Sequence, residues 1–374
     1  MRIAITGMGL VSPFGMGNEA FREGLAGRGG FAEASVLPAE TFPAPRTHEV
    51  RDWNPNLVLG DKGHRHFDRL TRFLAVSARL ALRDAGFRDG DEWRGGDTAG
   101  FGVVSATAYG SLDEITEQNR IAVFEDPRYI NPTRFPNTVI NAAAGYVSIR
   151  EELRGPNTTI VSGRTGALLA LAHARGELES GEVYGALVGG GEVVSEALYV
   201  GLERLGLFER FGGLHLAEGG GFFTLEREGD VIERGGRVLA ILAGEHTAFE
   251  PPEDDAALAH TSSAAAARAL RGATRGERVD AVVISASAIE PLASAERAAV
   301  REVLGEVPVV APNLAIGEAF AASGVFVVGA AVALLGDEVL AKELVGVADS
   351  APKRVAVLAL GQEGQASAVM LERA

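Results

Sequence analysis

The chain opens with Ile3-Ala4-Ile5-Thr6-Gly7-Met8-Gly9-Leu10-Val11-Ser12-Pro13-Phe14-Gly15. The apolar, β-branched start reads as a strand, and the glycines that follow suit tight turns and close backbone packing. Working outward, similar apolar runs edged by Gly or small residues recur at 100–104, 158–161, 185–188 and 221–225. A second series lies at 238–243, 281–285, 307–310, 355–360 and 366–371. Helical patterns such as 70–85 and 166–178 fall between them, and the alternation predicts an α/β fold. Both series run in one order: a strand, a connecting helix and a closing pair of strands. That predicts an internal duplication, with halves at residues 1–230 and 231–374 in one compact unit. Polar, turn-rich stretches at 226–237 and 250–255 read as surface loops.

The 374 residues are 47% hydrophobic and 23% charged, enough for an ample core. Cysteine is absent, which removes disulfides, zinc thiolates and a Cys nucleophile, and fits a cytoplasmic protein. The N-terminus lacks the charged and apolar segments of a signal peptide. The apolar run at 319–335 is Ala/Gly-rich and interrupted by Ser323, so it reads as a buried core helix and not a membrane span. A formal charge of −15 without a basic stripe argues against nucleic acid or anionic membrane as partners. It also weighs against an acidic carrier protein docking on this chain alone. Gly7-Met8-Gly9 and Gly189-Gly190-Gly191 lack dinucleotide spacing, and no cofactor is expected.

Further landmarks follow the opening stretch in order. Phe67-Asp68-Arg69 precedes an Ala-rich helix ending Asp84-Ala85-Gly86; Pro136-Asn137-Thr138 leads through Ala144-Gly145 to Arg154-Gly155-Pro156-Asn157. Val188-Gly189-Gly190-Gly191-Glu192 and Ala217-Glu218-Gly219-Gly220-Gly221 come next. Each is a weak signal alone, but the series resembles the β-ketoacyl synthases almost end to end. The resemblance implies a thiolase-type fold, with duplicated α/β halves in a layered α-β-α-β-α arrangement, in an obligate dimer.

That family acylates a Cys at a helix N-terminus, where the dipole favours the thiolate. Two His assist malonyl decarboxylation and stabilise the enolate oxygen. The resemblance puts the nucleophile position at Arg164, within Val161-Ser162-Gly163-Arg164-Thr165-Gly166. The two His positions fall on Ala286 and, after Gly317, on Glu318; a Lys position falls on Asn313. The C-terminal gate loop matches loosely at Leu360-Gly361-Gln362-Glu363-Gly364-Gln365-Ala366. All three reactive groups are thus replaced, and no catalytic residue is expected; a protonated Arg is no acyl acceptor. Arg164 and Glu318 either pair to fill the old pocket, or Arg164 turns to the interface or solvent while Glu318 is solvated.

The resemblance further implies a chain length factor: a ketosynthase-like subunit that pairs with an active ketosynthase as a heterodimer and shapes the acyl tunnel sterically. An acyl carrier protein is then engaged indirectly, through the active subunit. Type II polyketide and aryl polyene systems, close to fatty acid biosynthesis, use such pairs. Residues 129–149 are the expected tunnel and interface segment, with Phe135, Asn137, Asn141 and Tyr146 as candidates. Two alternatives stand: a homodimeric pseudoenzyme binding an acyl chain or small ligand, and a repurposed acyltransferase or hydrolase. Ser162 reads as a helix cap. His64 and His66 read as exposed loop residues without metal spacing, His173 as a core or interface residue, and His215 as structural.

Overall fold

The computed structural model describes residues 1–33, 35–251, 262–346 and 351–374. Ten strands carry the architecture: β1 (Ile3–Ser12), β2 (Phe101–Thr107), β3 (Asn157–Val161), β4 (Gly185–Glu192) and β5 (Gly219–Arg227), then β6 (Ala240–Phe249), β7 (Ala281–Ile284), β8 (Val309–Val310), β9 (Arg354–Leu360) and β10 (Gln365–Glu372). Each falls on an apolar run of the sequence. Their spatial order is β8-β7-β9-β10-β6-β1-β5-β4-β2-β3. Outward from the middle, the first five strands run first, fifth, fourth, second, third, and the second five repeat that order. The pairing sense repeats as well. β1–β5 and β5–β4 are antiparallel while β4–β2 and β2–β3 are parallel. β6–β10 and β10–β9 are antiparallel while β9–β7 and β7–β8 are parallel. A short antiparallel pairing of Ile3–Ile5 with Ala240–Leu242 joins the halves.

Five helices complete the layers. α1 (Arg69–Asp84) packs on β1, β5 and β4 from one outside. α2 (Gly166–Ser180) and α5 (Ala321–Gly336) lie together between the two sheet halves. α3 (Ala264–Thr274) and α4 (Glu290–Leu304) cover the second half from the other outside. The result is α-β-α-β-α. α1 starts where Asp68 accepts a hydrogen bond from the Thr71 N–H at 2.8 Å. It lies so close to β1 that a Cβ on Gly7 or Gly9 would sit 2.3 or 2.2 Å from the carbonyl oxygens of Ala81 and Ser77. The opening glycines are therefore packing residues. α5 is buried along its length, as its all-round apolar sequence dictates. Among the described residues no single helix is long and apolar enough to cross a membrane.

One loop expectation is corrected and another is largely untested. Residues 226–237 are not a plain loop: Glu226 is buried at the end of β5, where Arg234 and Thr6 satisfy it, and Glu228–Glu233 is a helical turn anchored by buried Val231. The 250–255 stretch lies outside the described residues from 252 onward.

Candidate functional site

The site forms where the inner ends of both halves meet. From the first half, β3 runs into Ser162-Gly163-Arg164-Thr165, which lead into α2. From the second, β7 ends at Ile284 and delivers Ser285, Ala286 and Ser287. The chain then returns through the turn Asn313–Ile316 and Gly317 to Glu318. Glu318 is fixed by its backbone: its N–H donates to His215 O at 2.8 Å, and its carbonyl accepts from the Ala217 N–H at 2.8 Å. Gly324 lets α5 approach α2, since a Cβ there would sit 2.4 Å from Arg164 O.

Arg164 and Glu318, both fully buried, form an ion pair through Nη2 and Oε2. Ser287 Oγ lies between them, accepting from Arg164 Nη2 at 2.6 Å and donating to Glu318 Oε2 at 2.9 Å. Glu318 Oε1 accepts from the Phe320 N–H at 3.0 Å and from Ser323 Oγ at 3.4 Å. Burial works against the Arg164 charge, but Glu318 outweighs it and raises the guanidinium pKa. Arg164 Nε and Nη1 have no protein partner. Ala286 is buried and offers only a methyl group. Asn313 is buried too, its amide donating to Ser285 O at 3.3 Å and Ser323 O at 3.4 Å.

Two further buried carboxyls flank the pair. Glu296, on α4, accepts from Ser285 Oγ at 2.5 Å and the Leu360 N–H at 3.0 Å; burial pushes its pKa up to about 7 although Arg164 opposes this. Glu192, ending β4, accepts from the Ala108 N–H at 2.7 Å, and burial pushes it up to about 8. Outside Arg164 a cleft of about 360 Å³ is lined by Tyr109, Ser162, Phe320, Gln362, Glu363 and Gln365, among others.

A guanidinium is no nucleophile, and the Glu318 carboxyl oxygens accept hydrogen bonds from Arg164, Ser287, Ser323 and the Phe320 N–H. Among the described residues no group of His, Cys, Asp or Glu is placed to hold a metal.

Other sequence expectations are distributed as follows. Ser162 does not cap α2; its hydroxyl bonds Thr165 Oγ1 at 2.8 Å, because Thr165 itself occupies the cap position. His64 is buried, not exposed, and its Nε2 meets Gly60 O at 2.8 Å. His66 is exposed and packs edge-on against Tyr146. His173 lies outside the core, beside Glu177 at 3.1 Å. His215 stacks on His48 with ring centroids 4.3 Å apart. Phe135 and Asn141 are exposed and Tyr146 half-buried. Asn137 differs: it is buried and donates to His66 O at 2.9 Å, so it holds the loop together. Ser287, Glu296, Tyr109 and Phe320 were not singled out by sequence as site residues, and Glu192 was quoted only as the end of a glycine landmark; Ser287 lies next to Ala286.

A thiolase-type double fold with a corner built from the N-terminus of α2 and the loops after β7 and Asn313–Ile316 defines the condensing-enzyme class. Within that class, the chain belongs to the β-ketoacyl synthase family: the family described as "Beta-ketoacyl synthase, N-terminal domain" matches residues 1–230. The chain is 28% identical to the tetracenomycin polyketide synthase ketoacyl synthase beta subunit of Streptomyces glaucescens, over 90% of this chain and 86% of that one. It is 33% identical to the 3-oxoacyl-acyl-carrier-protein synthase 2 of Coxiella burnetii, over 54% of this chain and only 48% of that relative's length. Among solved structures, the ishigamide ketosynthase/chain length factor aligns with a TM-score of 0.78 at 27% identity, covering 100% of this chain and 99% of that one.

Proposed function

We propose that this chain is a non-catalytic ketosynthase-like subunit that pairs with an active ketosynthase and shapes its acyl tunnel, as a chain length factor does. The observation that carries the reading is the Arg164–Ser287–Glu318 cluster, which fills the reactive corner with a buried, hydrogen-bonded ion pair and supplies neither a thiol nor an imidazole. The surface supports a partner. β3 is an edge strand with an unpaired side, and exposed apolar residues gather on and before it: Phe124, Tyr129, Phe135, Ile149 and Val161. Relatives described as a beta subunit and as a ketosynthase/chain length factor point the same way. On this reading the active subunit holds the thioester and receives the acyl carrier protein in the cytoplasm, and this chain contributes bulk such as Phe135 from across the interface. The pathway, polyketide or aryl polyene, follows the partner.

The test is co-expression with each intact ketosynthase of the same genome, followed by size exclusion with mass analysis. A one-to-one complex is expected, and Phe135→Ala in that complex is expected to lengthen the product. A homodimer that ignores every ketosynthase, or turnover by the chain alone, overturns the reading. The first result would favour a ligand-binding pseudoenzyme and the second a repurposed acyltransferase or hydrolase.

A further inference from the structure

Phe320 has a backbone that a bulky residue rarely adopts, with φ 45° and ψ −112°. Such a conformation persists only where its surroundings impose it, and strain of this kind gathers at functional positions. Here the imposing contact is visible. The Phe320 N–H donates to Glu318 Oε1 at 3.0 Å, while Oε2 of the same carboxylate holds Arg164 and Ser287. The ion pair in the reactive corner therefore also sets the backbone of Phe320. Its ring meets Tyr109 edge-to-face, with centroids 4.9 Å apart at 87°.

Both rings line the cleft outside Arg164, together with Ser162, Gln362, Glu363, Gln365 and exposed Val161. On its other side Phe320 is 5% exposed and belongs to the apolar cluster that includes Ala286, Ile289 and Leu214. The aromatic pair thus stands between the cleft and an apolar interior.

We infer that Phe320, turned by Glu318 against Tyr109, is a plug that keeps acyl chains out of this chain's own pocket. A chain entering from the cleft meets the paired rings with the buried Arg164 guanidinium beside them. Removing the benzyl group leaves an apolar void continuous with the cleft, and voids lined by apolar side chains take up apolar ligands. Glycine suits the position best, because it accepts the positive φ without steric cost. The inference concerns this chain's pocket and stands apart from its pairing with a partner.

The test is fluorescence titration of the full chain with cis-parinaric acid, with decanoate as competitor, on wild type, Phe320→Gly, Phe320→Ala and Tyr109→Ala. Circular dichroism and melting curves identify the folded variants. Wild type is expected to show no saturable site, and each folded variant to gain one that binds at least about tenfold tighter. Should both Phe320 variants fail to fold, Tyr109→Ala removes the opposing ring and must gain the same site. Saturable binding by wild type overturns the plug, as do folded variants that bind no better than wild type. A wild type that takes up the probe yet pairs with a ketosynthase overturns the plug alone and leaves the partner-subunit reading in place.

Discussion

At the residue scale, the buried pair in the reactive corner dominates. Arg164 and Glu318 are 2% and 1% exposed, so removing one leaves the other charged and desolvated. Arg164→Ala is expected to cost about 3–5 kcal/mol in denaturant unfolding, whereas Arg164→Met with Glu318→Leu together is expected near neutral. A loss of under 1 kcal/mol in the single variant would show that the pair is solvated. Arg164→Cys is expected to give no condensation product, since neither Ala286 nor Glu318 supplies an imidazole; product formation by that variant would sink the non-catalytic reading. Glu192 and Glu296 set a pH dependence. Their folded pKa values, about 8 and about 7, lie above the ordinary 4.5. The folded state therefore holds protons that the unfolded chain releases. The stability this gives is fully present below about pH 4.5 and is lost as pH rises through about 7 and 8. Glu192→Gln with Glu296→Gln is expected to flatten that decline, read as urea midpoints at pH 5, 6.5 and 8. Equal slopes in wild type and variant would contradict the assignment.

At the element scale, tight helix–strand contact and an open strand edge act in opposite directions. α1 sits so close to β1 that Gly9 has no room for a methyl group, with Ser77 O only 2.2 Å from where it would lie. Gly9→Ala is expected to destabilise by about 1–3 kcal/mol through overpacking, measured by chemical denaturation. At the other extreme β3 ends in Val161, 59% exposed, and the helical turn Ala142–Arg150 before it carries Ile149, 74% exposed. Ile149→Asp with Val161→Asp is expected to leave the stability of the isolated chain within about 0.5 kcal/mol, because these side chains are largely solvated. The same double variant is expected to abolish the one-to-one complex with a ketosynthase in size exclusion. An intact complex would place the interface elsewhere.

At the scale of the whole molecule, two halves with one strand order and one pattern of pairing sense bring their inner loops to a common corner. Each half alone supplies only part of the site: Arg164 comes from the first, and Ala286, Ser287 and Glu318 from the second. At that corner Arg164 and Glu318 join the halves as opposite charges.

Strand positions, the α/β alternation and the order of glycine landmarks were legible in the sequence, because apolar runs and Gly turns report local conformation directly. The resemblance named Arg164 and Glu318 and offered their pairing as one of two outcomes; they lie 154 residues apart, and the meeting of the two halves brings them into contact. Ser162 and His64 show the same limit: a hydroxyl near a helix start and a His in a polar stretch say nothing of which backbone groups remain free nearby. Glu296 carried no local signal, and Glu192 and Phe320 appeared only inside a glycine landmark and an apolar run. A glutamate in sequence is most often solvated, and burial against Ala108 or Ser285 is conferred by strands and helices packed from distant parts of the chain. Sequence alone determined the elements, since they depend on residue identity and short-range order. The tertiary structure decided which charges pair, which carboxyls burial pushes up in pKa and which ring meets Tyr109 at the cleft, since each depends on what the folded chain brings within reach.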